Sequence, residues 1–256
     1  MSCNHDKIAY QKKALLRHVA IIMDGNSRWA RKRGQLPIFG HKAGIESVKR
    51  AVHFALDHKI ECLTLYAFSR ENWRRPIQEI NSLMQLLELA IEYELKHLHK
   101  YNICLRVIGD INFLNKNLQR NILLAENATK NNKGINLNIA INYSGQWDII
   151  EGTKKIAQKV QAGLLFPQQI EEQTLANELC LQDLAPVDLL IRTGGEYRIS
   201  NFLLWQIAYS EFWFTDVFWP DFNESIFENA INDFYLRERR FGSSGINFTK
   251  VGSTTC

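Results

Sequence analysis

Short, almost uninterrupted apolar runs alternate along this chain with longer segments whose apolar residues recur at helical spacing. Residues 18–24 (HVAIIMD), 62–68 (CLTLYAF), 103–108 (ICLRVI), 135–142 (INLNIAIN), 187–192 (VDLLIR) and 211–215 (EFWFT) read as strands. Residues 43–58, 81–100, 115–130, 147–162 and 225–237 read as helices. The second of these carries Leu83, Leu86, Leu87, Ala90, Ile91, Leu95 and Leu98 on one broad face. A strand that is apolar at nearly every position needs cover on both faces. Strands alternating with helices therefore predict a single α/β domain, a central and mainly parallel β-sheet flanked by helices. No repeat, low-complexity tract or linker divides the chain, so one domain is expected for its 256 residues.

Composition narrows the partners. A hydrophobic share of 46% excludes wholesale disorder, and a net charge of +4 is too small to indicate a nucleic-acid binder. Five scattered cysteines, none in a CxxC pair, argue against a disulfide framework or a zinc site and for a reducing compartment. The first residues lack the apolar stretch of a signal peptide, and no run of ~18 apolar residues exists. A cytoplasmic protein is expected, with loose contact to a membrane surface left open.

In sheets of this kind, ligands gather at the carboxyl ends of strands. The first strand ends in Asp24 and runs into Gly25, Asn26, Ser27, Arg28 and Trp29, with Arg31, Lys32 and Arg33 following. A carboxylate beside a glycine turn and clustered positive charge suits a metal held together with substrate phosphates. The alternative is a capping aspartate beside a solvated basic face. The second strand ends in Ser69, Arg70, Glu71, Asn72, Trp73, Arg74 and Arg75; the late strand ends in Arg192, Thr193 and two glycines, then Glu196, Tyr197, Arg198, Ile199, Ser200 and Asn201. Guanidinium forks match phosphate oxygens. Three such loops at one sheet edge favour a polyanion site over three separate structural turns. His41 reads as either a structural histidine or a phosphate contact. Glu211, opening an aromatic strand, reads from the sequence as a surface acid. A Walker A loop is absent.

These residues carry a family resemblance. HVAIIMDGNSRWA, GHKAG, LTLYAFSRENWRRP, NIAINYSGQWDI, APVDLLIRTGGEYRISNFLLWQIAYSEFWFTDVFWPDF and RERRFG, in that order, resemble the cis-prenyltransferases. The match is nearest to their bacterial, undecaprenyl-diphosphate-forming branch. It implies Mg²⁺-dependent condensation of isopentenyl diphosphate onto an allylic diphosphate such as farnesyl diphosphate, giving the lipid carrier for cell-wall glycans. It also implies a homodimer, a catalytic domain at 18–242, an N-terminal extension at 1–17 and a tail at 243–256. A nucleic-acid module built on Arg28–Arg33 is a further reading, but the chain lacks an RRM, KH or helix-turn-helix signature, so no nucleic-acid partner is expected.

By position, the resemblance makes Asp24 the catalytic carboxylate that places Mg²⁺, with Glu211 supporting the metal. Gly25, Asn26, Ser27 and Arg28 would hold the allylic diphosphate with His41 and Arg75, and Trp29 would border the prenyl chain. Ser69, Arg70, Glu71 and catalytic Asn72 would lie near the incoming isopentenyl unit, with Trp73 stacked close by. Arg192, Arg198, Ile199 and Ser200 would bind the isopentenyl diphosphate, and residues 239–242 would approach a partner subunit. Val48, Val52, Leu83, Leu86, Leu87, Ala90, Ile103, Ile135 and Ile141 would line a hydrophobic tunnel with Ile135 as its floor. Two positions depart from the pattern: Pro37 stands where many relatives have arginine, and Tyr197 where some have histidine. A non-catalytic partner subunit is the rival reading, but such chains lose the first-loop aspartate or the paired arginines, and Asp24, Asn72, Arg192 and Arg198 are all present.

Overall fold

The computed structural model describes residues 15–239. Strands β1 His18–Ile22, β2 Cys62–Ser69, β3 Cys104–Ile108, β4 Asn136–Tyr143, β5 Leu189–Arg192 and β6 Glu211–Phe214 form one sheet in the order β3-β4-β2-β1-β5-β6. Every pairing is parallel, so the sheet is wholly rather than mainly parallel. Successive residues of one strand enter different cores. Val19 and Ile21 pack with Leu63, Leu65 and Ile191 on one face, while Ala20 and Ile22 pack with Tyr66, Ala140 and Leu190 on the other. This two-sided burial is what the unbroken apolar runs require.

The helices are α1 Asn26–Lys32, α2 Pro37–Asp57, α3 Ile77–Lys100, α4 Lys116–Thr129, α5 Gly145–Gln161, α6 Glu172–Ala176 and α7 Glu224–Leu236. Two boundaries correct the sequence reading. Residues 26–32 are helical rather than loop, and α2 begins six residues before position 43, at Pro37. Proline at the first helical position carries no N–H to leave unsatisfied, so it opens α2 rather than breaking it. Gly40 and Gly44, poor helix formers, are kept by packing: a Cβ on Gly40 would collide with the Asn26 carbonyl, and one on Gly44 would lie 2.6 Å from Asn26 Oδ1. The short α6 and a 3₁₀ turn over Arg70–Arg74 were below the reach of periodicity.

Among the described residues, no helix is long and apolar enough to cross a membrane, and Cys62, Cys104 and Cys180 are free thiols. Residues 1–14 of the expected extension, Cys3, positions 240–242 of the closing motif, the tail at 243–256 and Cys256 lie outside the described residues.

Candidate active site

Strand β1 sits mid-sheet, with β2 on one side and β5 on the other, so chain connections leave it in opposite directions. At such a switch point a crevice opens beyond the carboxyl ends of the strands. The three arginine-bearing loops singled out in the sequence follow β2, β1 and β5, three adjacent strands.

The turn after β1 is locked before any ligand arrives. Asp24 N–H donates to Thr193 Oγ1 at 3.0 Å, Thr193 Oγ1 donates to the Asp24 carbonyl at 2.8 Å, and Trp219 N–H donates to that carbonyl at 3.0 Å. Gly25 holds φ +104°, a left-handed conformation, and a Cβ there would stand 2.6 Å from the Phe218 ring. The Asp24 carboxylate accepts from Gly25 N–H at 2.6 Å, from Arg192 Nη2 at 2.9 Å and from Arg28 Nη2 at 3.1 Å. Burial alone would raise its pKa. The Arg192 hydrogen bond and the charges of Arg28 and Arg192 outweigh burial and hold it below the usual range, so Asp24 is ionised at neutral pH.

Arg192 joins two loops. It is only 4% exposed. Its Nη1 donates to the Arg198 carbonyl and, at 2.8 Å, to Ser200 Oγ, while Nη2 serves Asp24. Its buried Nε has no partner among the described residues. A buried guanidinium N–H without an acceptor is unusual. Ser200 and Asn201 adopt φ +46° and +61°, bending this loop back on itself. Asn201 anchors the bend: its carbonyl accepts from Gly145 N–H at 2.6 Å, its Oδ1 accepts from Gln146 N–H at 2.9 Å, and its Nδ2 donates to Glu71 Oε1 at 2.9 Å.

His41 lies on α2, with Nε2 3.4 Å from Ser27 Oγ. Burial, helped by the positive charge of Arg75, lowers its pKa to about 4, so the ring is neutral at pH 7. Arg75 itself pairs with Glu79 at 3.1 Å. Asn72 Oδ1 accepts from Ser69 N–H at 3.1 Å, fixing the amide at the end of β2.

An apolar cavity of about 190 Å³ opens between the sheet and helices α2 and α3. Met23, Asn26 and His41 connect it to the charged loops, Val48, Leu83, Leu86 and Leu87 form its walls, and Leu98, Leu105 and Leu137 line it deeper in the core. Ala90 and Ile141 also line it; Val52, Ile103 and Ile135 do not, being packed in the core cluster behind Leu98, Leu105 and Leu137.

Other expected site residues have partners of their own. Trp29 Nε1 donates to Asp221 Oδ1 at 2.7 Å, its ring lies 3.9 Å beneath the Arg33 guanidinium, and it is not among the cavity-lining residues. Arg70 pairs with Asp110 at 2.9 Å, and Trp73 Nε1 donates to Asn142 Oδ1 at 2.8 Å, tying both to the β3–β4 side. Ile199 packs against the second core cluster. Glu211 is not brought to Asp24 within the chain. It pairs with Leu189 in register while Arg192 pairs with Phe214, so it stands at the amino-terminal edge of β6, where Arg237 holds it at 3.0 Å. The sequence reading gave no role to Thr193, Glu196 or Asn201, although all three lie within quoted motifs. Glu196 bridges Arg28 at 3.3 Å and Arg198 at 2.6 Å.

Among the described residues, no group of three or more His, Cys, Asp or Glu side chains could hold a metal ion. Asp24 alone could serve only a hard cation that takes most of its ligands from phosphate and water, and Asn26 Oδ1, buried and unpartnered among the described residues, faces Gly44 on α2.

The sequence pattern of one family, described as putative undecaprenyl diphosphate synthase, matches residues 22–242. A ditrans,polycis-undecaprenyl-diphosphate synthase ((2E,6E)-farnesyl-diphosphate specific) of Pectobacterium atrosepticum is 59% identical over 228 residues, 89% of this chain and 90% of the relative. The protein of that name from Escherichia coli K12 is also 59% identical over the same share of each chain. Among solved structures, a lavandulyl diphosphate synthase from Lavandula x intermedia, in complex with dimethylallyl diphosphate, aligns with a TM-score of 0.86 at 37% identity over 88% of this chain and 98% of that one. A probable undecaprenyl diphosphate synthase from Campylobacter jejuni aligns with a TM-score of 0.75 at 32% identity over 89% of this chain and 99% of that one.

Proposed function

This chain belongs to the undecaprenyl diphosphate synthase family of cis-prenyltransferases, and from that premise we propose that it adds isopentenyl diphosphate units to farnesyl diphosphate to make undecaprenyl diphosphate. The observation that carries this reading is one juxtaposition: an ionised carboxylate held by two guanidiniums and set in the chain between Met23 and Asn26, which line an apolar cavity. Charged heads and greasy tails of prenyl diphosphates need both environments side by side.

Ionising the allylic C–O bond loads negative charge onto the departing diphosphate. Arg28, neutral His41, Ser27, Arg75 and the main chain of Gly25 and Asn26 would stabilise that charge. Arg192, Arg198 and Ser200 would grip the second diphosphate. Asn72, oriented by Ser69, would stand where the isopentenyl unit loses its proton, beside Arg70, Glu71 and Trp73. Bound Mg²⁺, held by Asp24 with phosphate oxygens, would add positive charge at the leaving group. Each CH₂ moved from water into the cavity contributes about 0.8 kcal/mol, which draws the growing chain inward. The catalytic domain is read as residues 18–242.

A homodimer fits the edge of the sheet. Strand β6 closes one side, and Phe212 and Leu236 are exposed there. Glu211, remote from its own chain's Asp24, lies on this face, so any part it takes in metal or substrate binding would come through a second copy. The protein is read as cytoplasmic, touching the membrane only to release product.

The test is one assay: purified protein, farnesyl diphosphate, labelled isopentenyl diphosphate and Mg²⁺, with the lipid product sized. An eleven-unit product that disappears on chelation is expected. No labelled lipid under these conditions overturns the reading.

A further inference from the structure

The charged crevice contains a second carboxylate whose placement differs from that of Asp24. Asp24 is fixed from three sides, one of them the buried Arg192. Glu196 is held by two guanidiniums, Arg28 at 3.3 Å and Arg198 at 2.6 Å, and neither is buried. Arg28 stands on α1 and Arg198 on the loop after β5, and they serve different diphosphates in the proposed reaction; the inference rests on that assignment. Glu196 stands just after Gly194 and Gly195, both at positive φ, and each glycine donates its N–H to the segment after β6, to the Val217 and Thr215 carbonyls at 2.8 and 2.9 Å. Its backbone is thus fixed while its carboxylate spans both substrate arginines.

We propose that Glu196 is an internal anion that occupies the two diphosphate subsites when they are empty. It holds Arg28 and Arg198 to one shared partner and lowers the positive potential that stray anions meet. Exposed ion pairs are individually weak. A diphosphate offers the same forked oxygen geometry with more charge, so it displaces the carboxylate, whereas a singly charged anion competes poorly. A diphosphate that takes either arginine leaves Glu196 paired with the other alone. Glu196 is thus a positioning residue shared by the two subsites.

Calorimetric titration with inorganic pyrophosphate tests this without turnover. Glu196→Gln keeps the shape and removes the competing charge, so it should bind pyrophosphate about ten-fold more tightly than the wild type, a gain of roughly 1.4 kcal/mol. Glu196→Asp, too short to span both arginines, should fall between. A residue that merely supported the loop would give weaker binding on substitution, the opposite sign. Unchanged or weaker binding by Glu196→Gln, with the wild type binding normally, overturns the placeholder alone. A wild type that takes up no pyrophosphate overturns the subsite assignment beneath it as well.

Discussion

Replacing Asp24 by asparagine keeps the shape of the side chain and removes its charge. The carboxylate now accepts from Arg192 Nη2, Arg28 Nη2 and Gly25 N–H. Asparagine offers one oxygen and turns an NH₂ toward a guanidinium, donor against donor. Hydrogen bonds to charged groups are worth about 1.5–3 kcal/mol each. The Asp24 side chain is 31% exposed, so water repairs part of the loss. The net cost should be about 2–3 kcal/mol, a fall in Tm of roughly 4–10 °C for a domain of this size. Turnover should suffer more, since loss of one preorganised electrostatic contact commonly costs about 10²–10³ in kcat. Thermal unfolding by circular dichroism and steady-state turnover measure the two effects separately. The pH dependence gives an internal check. The folded-state pKa of Asp24 lies below its ordinary 3.8, so its stabilisation is present above that pH and lost as pH falls through the folded value. The Tm gap between wild type and variant should stay constant from about pH 5 to 8 and close in stronger acid. A variant retaining kcat within about three-fold of wild type would refute the role given to this carboxylate.

Three other outcomes are expected. His41 has its pKa lowered from 6.5 to about 4, so the stability it contributes is complete above pH 6.5 and lost on acidification toward pH 4; bound pyrophosphate should raise that pKa, and an NMR titration unchanged by pyrophosphate would remove His41 from the anion site. Ile135 shares its core cluster with the cavity-lining Leu105 and Leu137, so Ile135→Ala, at a stability cost of about 2–5 kcal/mol, should let the cavity extend and shift the product toward longer chains; an unaltered length distribution by mass spectrometry means that this layer does not close the cavity. Gly194→Ala places a methyl 2.8 Å from Arg28 Nη2 at φ +88°, so kcat/KM for the allylic substrate should drop at least about ten-fold while the secondary structure by circular dichroism is retained; normal kinetics would show that Arg28 is free to move aside.

Much of the fold was legible in the sequence because parallel sheets leave a strong signature. Residues 18–24 and 187–192 are apolar almost throughout, and only burial on two faces explains that. The polar loops after them then had to share an edge, so Asp24, Arg28 and Arg192 could be grouped before any coordinates. Helix α1 and the start of α2 were hidden because their glycines and arginines carry no apolar period; Asn26 packing against Gly40 and Gly44 overrides propensity there. Residue type also cannot reveal direction. Trp29 turns to Asp221, Arg70 to Asp110 and Glu211 to Arg237, and only the register of β6 shows that the last lies at the opposite edge. Glu196 sat inside a quoted motif without a role, since its meaning comes from spanning two arginines.

Arg192 grips Asp24 with one nitrogen and the Arg198–Ser200 bend with the other. One rigid, planar group therefore acts as a ruler between the two cradles, and neither can drift without dragging its neighbour. In the proposed reaction, each cycle leaves the lengthened lipid's head in the cradle where the five-carbon unit entered. With the spacing clamped, the cradles cannot slide to meet it, so the lipid itself must step across the gap before the next addition. That stride would be repeated once for every unit added.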